Sequence, residues 1–190
     1  VILEAAEPVF ANHGYDAAKV TDIADTAEVS VGTIYGVFGS KAELFGAVLT
    51  HRLPELLEIA HRSAVDATTP IERLTSGLDA TILYMLEHPD FLRIHLRDHA
   101  WGLGPVRADR QQVAAWREGM VLEAQILEVA MDLGLVMRED PYRLARMIAA
   151  IQQVHLNDWV EDGMLEPPAV VVRRLHDLVA RMFFVDQVSG

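Results

Sequence analysis

The sequence predicts an all-α protein with an N-terminal three-helix domain containing a helix-turn-helix, joined to a larger helical domain. Helical periodicity runs through nearly every segment of the 190 residues, and strand patterns are absent. Short helices separated by tight turns occupy the first 50 residues, whereas the later helices are longer. We therefore expect one domain over residues 1–47 and a second over residues 48–190.

Turn and capping residues mark the short helices of the first domain. Gly14 suits a left-handed C-cap at the end of the first helix. A second helix is expected over roughly 21–27. Ser30 suits the N-cap of a third helix over 31–37. Ser40 opens a capping box that starts the fourth helix.

The fourth helix is predicted to run toward residue 67 with a kink near Pro54. The later helices are delimited by proline, glycine and capping signals, with a loop at 101–105. Their expected ranges are 70–87, 90–100, 107–133, 141–162 and 168–185.

Composition places the chain among globular proteins, since 51% of residues are hydrophobic and 23% charged. We expect a soluble cytoplasmic protein, because no apolar run reaches membrane-spanning length and no signal-peptide pattern opens the chain. Cysteine is absent, which excludes disulfides and thiolate chemistry. The chain begins at Val1 without an initiator Met, so we expect a further segment before it.

The charge is unevenly distributed along the chain. The net charge is −12, and residues 1–50 hold two lysines against seven carboxylates. All fourteen arginines lie from Arg52 onward. Such a balance disfavours non-specific binding of nucleic acid by the whole molecule.

Residues 23–35 have the spacing of a helix-turn-helix, in which a second short helix is presented to the major groove of DNA. Ala24 is small where the two helices must cross closely. Five apolar side chains are expected to share a small core: Ile23, Ala27, Val29, Ile34 and Val37. This pattern alone fits a plain helical bundle as well as it fits DNA binding.

The wider string over residues 14–45 resembles the N-terminal signature of the TetR family of transcriptional regulators. The matching segments are Gly14-Tyr15-Asp16, Val20-Thr21-Asp22-Ile23-Ala24, Ala27-Glu28-Val29-Ser30-Val31-Gly32-Thr33-Ile34-Tyr35 and Phe38-Gly39-Ser40-Lys41-Ala42-Glu43-Leu44-Phe45. The resemblance covers about residues 1–50, and the remainder is similar to the family only in architecture. It implies a repressor that binds a pseudo-palindromic operator as a homodimer and is released by a small-molecule effector.

The resemblance assigns the recognition helix to Val31–Val37. There Thr33 would contact bases or phosphates, whereas Tyr35 and Lys41 would contact phosphates. The full predicted DNA-binding set is Thr21, Ser30, Val31, Gly32, Thr33, Tyr35 and Lys41. The alternatives are that Ser30 acts only as a helix cap and that Tyr35 only packs.

The sequence departs from the family signature at three features. Glu28 stands where the turn has Gly, and a left-handed conformation there would cost about 1 kcal/mol. Gly36 and Val37 replace side chains that could read bases. The domain lacks Arg, so we expect a basic segment before Val1. These departures lower the expected strength and specificity of DNA binding.

The central helices carry the candidate effector residues, because apolar walls with a few polar groups suit a small molecule. The candidates are Tyr84, Met85, His95, His99, Trp101, Trp116 and Met120. Trp116 and Met120 are favoured because they lie four residues apart on one helix. The alternative is that these side chains are ordinary core.

His95 and His99 are also four residues apart, a spacing that suits a divalent metal with His155 or Asp158 as a further ligand. Arg97 lies between the two histidines, and no metalloprotease motif is present. We expect no metal and no cofactor.

The last two predicted helices carry apolar stripes that suit a four-helix dimer interface. The interface candidates are Ile148, Ile151, His155, Trp159, Leu175, Leu178 and Met182. The alternative is that both faces belong to the core of a single chain.

An enzyme and a helical ligand-binding or adaptor protein are the competing interpretations. No nucleophile elbow, phosphate loop, zincin motif or Glu-x-x-His pair appears, so we expect no enzyme. The acidic first domain motivates the adaptor, in which the DNA-binding head would be weak or without function.

Overall fold

The computed structural model describes residues 1–100, 104–105 and 110–185. Within them lie ten helices: α1 Ile2–Ala17, α2 Val20–Thr26, α3 Val31–Phe38, α4 Lys41–Thr50, α5 Leu53–Asp66, α6 Pro70–Glu87, α7 Pro89–Asp98, α8 Arg110–Asp132, α9 Pro141–Glu161 and α10 Pro168–Phe183. The all-α prediction is therefore confirmed. Among the helices of these ranges, none has the length and apolar composition of a membrane span.

The short helices of the first domain end and begin where the turn residues predict. Gly14 has φ 71°, and α1 changes direction there before its last turn. Ser30 and Ser40 accept hydrogen bonds from the backbone N–H of Thr33 and Glu43, as N-caps of α3 and α4. Glu28 has φ 55°, so the strained turn expected from the sequence is confirmed.

The single kinked fourth helix predicted from the sequence is wrong. The chain forms two helices with a break at His51 and Arg52, and Pro54 lies in the first turn of α5. A proline in the first turn lacks only an N–H that no helical carbonyl would accept. Pro54 therefore starts a helix rather than bending one.

The segment between α7 and α8 contains a two-residue antiparallel ladder, in which His99 pairs with Pro105 and Ala100 with Gly104. The prediction that the helix continues to residue 100 is corrected, because α7 ends at Asp98. Two-residue strands are too short to show alternation in the sequence, so no periodicity could have revealed them.

The buried side chains form three clusters, and the first crosses the expected domain boundary. Phe10, Ile23, Ile34 and Leu44 fill the core of the N-terminal domain together with Ile94 of α7. The other two clusters lie among α5–α10. The N-terminal domain therefore shares its core with the helical domain.

Candidate nucleic-acid interface and effector region

Helix α3 presents most of its surface to solvent. Ile34 is fully buried and anchors the helix, whereas Tyr35 is 42% and Val37 64% exposed. Gly32, Thr33 and Gly36 are also exposed, and no described side chain or neighbouring element lies within 4 Å of the position a Cβ would take at Gly36. The outer face is thus shallow enough for the backbone to approach a groove closely.

The N-terminus of α3 is held by a local hydrogen-bond pair. The Ser30 Oγ accepts the Thr33 N–H at 3.0 Å and lies 2.8 Å from the Thr33 Oγ1. Both hydroxyls are exposed. Ser30 therefore has its structural role as a cap, and the pair fixes the Thr33 side chain on the outer face of the helix.

Lys41 and Thr21 lie at the N-terminal ends of α4 and α2. The Lys41 Nζ donates to the Asp16 carbonyl at 3.2 Å and stands 4.9 Å above the Tyr15 ring. Thr21 is exposed, and its hydroxyl donates to Asp22 at 3.2 Å. Lys41 thus joins α4 to the end of α1 while two of its three donors stay available.

A buried ionic network links α1 to the helical domain. The Arg52 guanidinium donates to both oxygens of Glu7, at 2.8 and 3.1 Å, and His51 Nε2 lies 3.1 Å from the same carboxylate. The hydrogen bond to Glu7 raises the pKa of Arg52, which also interacts with Tyr84. Tyr84 donates to Glu55 at 2.7 Å. Helices α1, α5 and α6 therefore meet in one polar cluster.

The predicted effector residues are not brought together in one described cavity. Tyr84 and Met85 are 3% and 5% exposed, and both belong to the second core cluster. The Tyr84 hydroxyl donates to Glu55 and its ring stacks on His88, so Tyr84 also joins α6 to α5. The effector role of Tyr84 and Met85 stays a prediction.

The remaining effector candidates lie on α7 and α8 or outside the residues that the structure describes. His95 is half-buried with Nδ1 2.9 Å from the Phe91 carbonyl, and Trp116 and Met120 are half-buried on α8. The side chain of His99 and all of Trp101 lie outside the described residues. Trp116 and Met120 stay predictions.

A small, partly open cavity of about 20 Å³ lies among α6, α8, α9 and α10. Leu127, Ile148 and Leu175 supply apolar wall. Polar groups enter from Gln152, which is buried, and from a pair in which His176 Nδ1 lies 2.8 Å from Asp79. Burial raises the pKa of Asp79, while His176 opposes this shift.

Glu123 of α8 is the least compensated group in the described part of the chain. Its Oε1 is buried without a hydrogen-bond partner there. Burial raises the pKa of this carboxyl to about 7. The helical period places Glu123 on the same face as Leu127, one turn away, and as Met120. The Glu123 carboxyl is therefore buried on the face of α8 that carries Leu127.

Sequence reasoning missed Asp79, Glu123, Gln152 and His176. Glu123 and Gln152 carried a signal, since each interrupts an apolar stripe at helical spacing. Asp79 and His176 are 97 positions apart, and no local pattern joins them.

No cluster of three His, Asp or Glu side chains suited to a metal occurs among the described residues. The His95–His99 hypothesis needs the side chain of His99, which lies outside them.

The structure divides the predicted interface residues into two groups. Ile148, Trp159 and Leu175 are 1%, 5% and 3% exposed. These three are corrected to core, because their own chain covers them. Four others keep surface on α9 and α10: Ile151, His155, Leu178 and Met182.

A capped, outward-facing third helix on a small helical domain is the geometry by which a helix-turn-helix presents a helix to the major groove. Residues 2–48 match the family model described as bacterial regulatory proteins, tetR family. Over these residues the chain is similar to transcriptional regulators of the TetR family.

Curated relatives that match the chain include transcriptional repressors. The transcriptional repressor KstR of Mycobacterium tuberculosis is 27% identical over 189 residues, covering 100% of this chain and 81% of the relative. The repressor SCO4008 of Streptomyces coelicolor is 30% identical over 126 residues, covering 62% of each protein. Both relatives are regulators rather than enzymes.

Solved structures share the fold. The fatty acid degradation regulator FadR of Bacillus halodurans superposes with TM-score 0.77 at 20% identity, covering 94% of this chain and 96% of that one. The ketosteroid transcriptional regulator KstR2 of M. tuberculosis gives TM-score 0.77 at 23% identity, covering 97% and 94%.

Proposed function

We propose that the protein is a repressor that binds a pseudo-palindromic operator as a homodimer and leaves it when a small-molecule effector binds. The exposed outer face of α3 is the observation that carries this proposal. Helix α3 buries only Ile34 fully and leaves Tyr35 and Val37 largely in solvent. These exposed side chains are available to contact DNA when the helix lies in the major groove. Regulators of the TetR family bind operator DNA as dimers with small-molecule effectors.

Contacts to bases are proposed for Thr33 and Val37, and contacts to phosphates for Tyr35, Lys41 and the N-terminal amides of α3. An exposed valine suits the methyl group of thymine, and a hydroxyl can pair with any base. Gly32 and Gly36 let the helix backbone lie close to the base edges. Backbone amides at a helix N-terminus orient phosphates without side-chain charge.

Binding of the full chain to its own upstream DNA, followed by fluorescence anisotropy across a salt series, tests the proposal. With few cations in the head, we expect specific binding with a shallow salt dependence. Lys41→Ala should weaken binding to all sequences and reduce the salt slope by about one unit. Thr33→Ala should weaken binding to the operator more than to unrelated DNA.

The melting temperature of each variant is the control, since Lys41 also joins α4 to Asp16. Absence of binding at low salt would refute the operator proposal and favour the adaptor. A Thr33→Ala variant with equal losses on all sequences would remove Thr33 from base recognition.

The dimer interface is proposed on α9 and α10, revised to the side chains that their own chain leaves uncovered. Met147, Ile151 and Val154 follow helical spacing on α9, and Val154 is 60% exposed. Leu178 and Met182 are four residues apart on α10. A dimer of this kind sets two recognition helices about 34–36 Å apart, one turn of DNA.

Val154→Glu should convert the dimer to a 21.1 kDa monomer, because the interface would bury an unpaired charge. Sedimentation at micromolar concentration measures this change. Val65→Glu is the matched control, since Val65 is 61% exposed on α5, away from the proposed interface. A Val154→Glu dimer as stable as the native one would exclude this face.

The effector is proposed to be an apolar molecule that enters between α6, α8 and α9 and enlarges the cavity. A volume of about 20 Å³ holds no ligand, whereas ligand sites span about 300–1,000 Å³. Apolar walls agree with the names of two structural neighbours, a fatty acid degradation regulator and a ketosteroid transcriptional regulator. Glu123, Gln152 and His176 are proposed to orient the polar end, with Trp116 and Met120 on the adjoining wall.

A further inference from the structure

A groove of about 310 Å³ lies where α1 of the N-terminal domain meets α7 and α9. It is lined by Ala11, Asn12, Arg93, Leu96, Arg97, Asn157 and Val160. None of the described residues in this lining is a carboxylate, although the chain carries a net charge of −12. The groove therefore presents two arginines, and it is separate from the cavity among α6, α8, α9 and α10.

The two arginines of the groove differ in their present partners. Arg93 donates to Asp90 at 3.2 Å and approaches the Met164 sulfur at 3.8 Å. Arg97 is exposed and makes no ion pair with the part of the chain that the structure describes. Within the described residues, Arg93 thus faces a carboxylate and Arg97 does not.

The Arg97 side chain packs against the backbone at Gly14. A Cβ at Gly14 would lie 3.1 Å from Nη1 and 3.3 Å from Cδ of Arg97, so the arginine lies flat across this glycine. The guanidinium is thereby held at the joint between α1 and α7 instead of extending freely into solvent. Holding the donor in place lowers the entropy lost when a ligand binds.

We propose that this groove binds a small phosphate-bearing organic anion, with the phosphate between Arg93 and Arg97 and the organic part against Leu96 and Val160. A phosphomonoester carries about −1.5 to −2 charges at pH 7, so it attracts Arg97 and competes with Asp90 for Arg93 more strongly than a monoanionic carboxylate does. Planar guanidinium donors also pair with phosphate oxygens in a bidentate manner. Asn12 and Asn157 at the edges add neutral polar groups, although Asn157 already donates to Glu161 at 2.7 Å.

The test uses phenyl phosphate, benzoate and benzyl alcohol as probes, because they share an aromatic body and differ in charge. Binding to the full chain is measured by calorimetry at constant ionic strength. Phenyl phosphate should bind in the millimolar range or tighter and raise the melting temperature by linking α1 to α7. Benzoate should bind at least several-fold more weakly, and benzyl alcohol should not bind measurably.

Arg97→Gln should reduce the affinity for phenyl phosphate roughly tenfold or more, as expected for loss of a charge-assisted hydrogen bond. Asn12→Asp is a second variant at an exposed position, and its carboxylate should weaken binding to a similar degree. Arg173→Gln, an exposed arginine of α10, is the matched control and should bind like the native chain.

Equal binding of benzoate and phenyl phosphate would overturn the proposal, as would undiminished affinity in both Arg97→Gln and Asn12→Asp. A failure to bind phenyl phosphate at about 10 mM, roughly tenfold above a millimolar dissociation constant, would overturn it as well. Because no DNA is present, these outcomes are independent of the operator assay.

Discussion

Replacing Arg52 with Met is expected to lower the free energy of unfolding by about 3 kcal/mol. Glu7 is 6% exposed in the native chain. The substitution removes the guanidinium that donates to both oxygens of its carboxylate. His51 remains 3.1 Å away but offers a single nitrogen. Removing one partner of a buried pair is costly because the other charge stays buried.

Chemical denaturation of four chains measures this effect: native, Arg52→Met, Glu7→Met and the double variant. The double variant should recover most of the loss, because no unpaired charge remains. Arg62→Met is the control, since Arg62 forms an exposed pair with Glu58 and should cost less than about 0.5 kcal/mol. Equal costs at Arg52 and Arg62 would contradict the assignment of a buried network.

Replacing Glu123 with Gln is expected to stabilise the protein above neutral pH by up to about 3 kcal/mol. Burial raises the pKa of the carboxyl from 4.5 to about 7 in the folded chain. Between these values the folded state holds a proton that the unfolded state has lost, so stability falls as pH rises. Above pH 7 the folded chain carries a buried, unpaired charge, which Gln cannot acquire.

Urea denaturation at pH 4.5 and pH 8 tests this second prediction. The difference between native and Glu123→Gln should be small at pH 4.5 and large at pH 8. Glu128→Gln, at an exposed position of the same helix, should show no such dependence. A pH-independent difference would mean that the carboxyl of Glu123 reaches solvent.

Features governed by neighbouring residues could be predicted from the sequence. The caps at Ser30 and Ser40 and the strained turn at Glu28 are confirmed. Each depends on hydrogen bonds or sterics within four positions of the chain, where residue type decides the conformation. The expectation that Val37 would join the shared core is wrong, because its side chain is 64% exposed.

Features that depend on distant contacts could not be predicted. Glu7 and Arg52 are 45 positions apart, and the break between α4 and α5 lies where they pair. Apolar residues of α9 and α10 lie on two faces of each helix. Periodicity cannot tell which face packs in the same chain and which one packs on a second subunit. Ile148 and Leu175 were therefore placed wrongly, whereas Val154 was missed.

The position of Ile94 in the core of the N-terminal domain affects how the chain unfolds on heating. This α7 side chain is 1% exposed within the core of the first four helices. An isolated fragment of residues 1–50 would carry an open hole in place of Ile94, together with a Glu7 that has lost Arg52. Holes of this kind cost about 2–5 kcal/mol, a large share of the stability of so small a unit. The head and the helical domain therefore belong to one cooperative unit, and heat should disrupt both in a single transition.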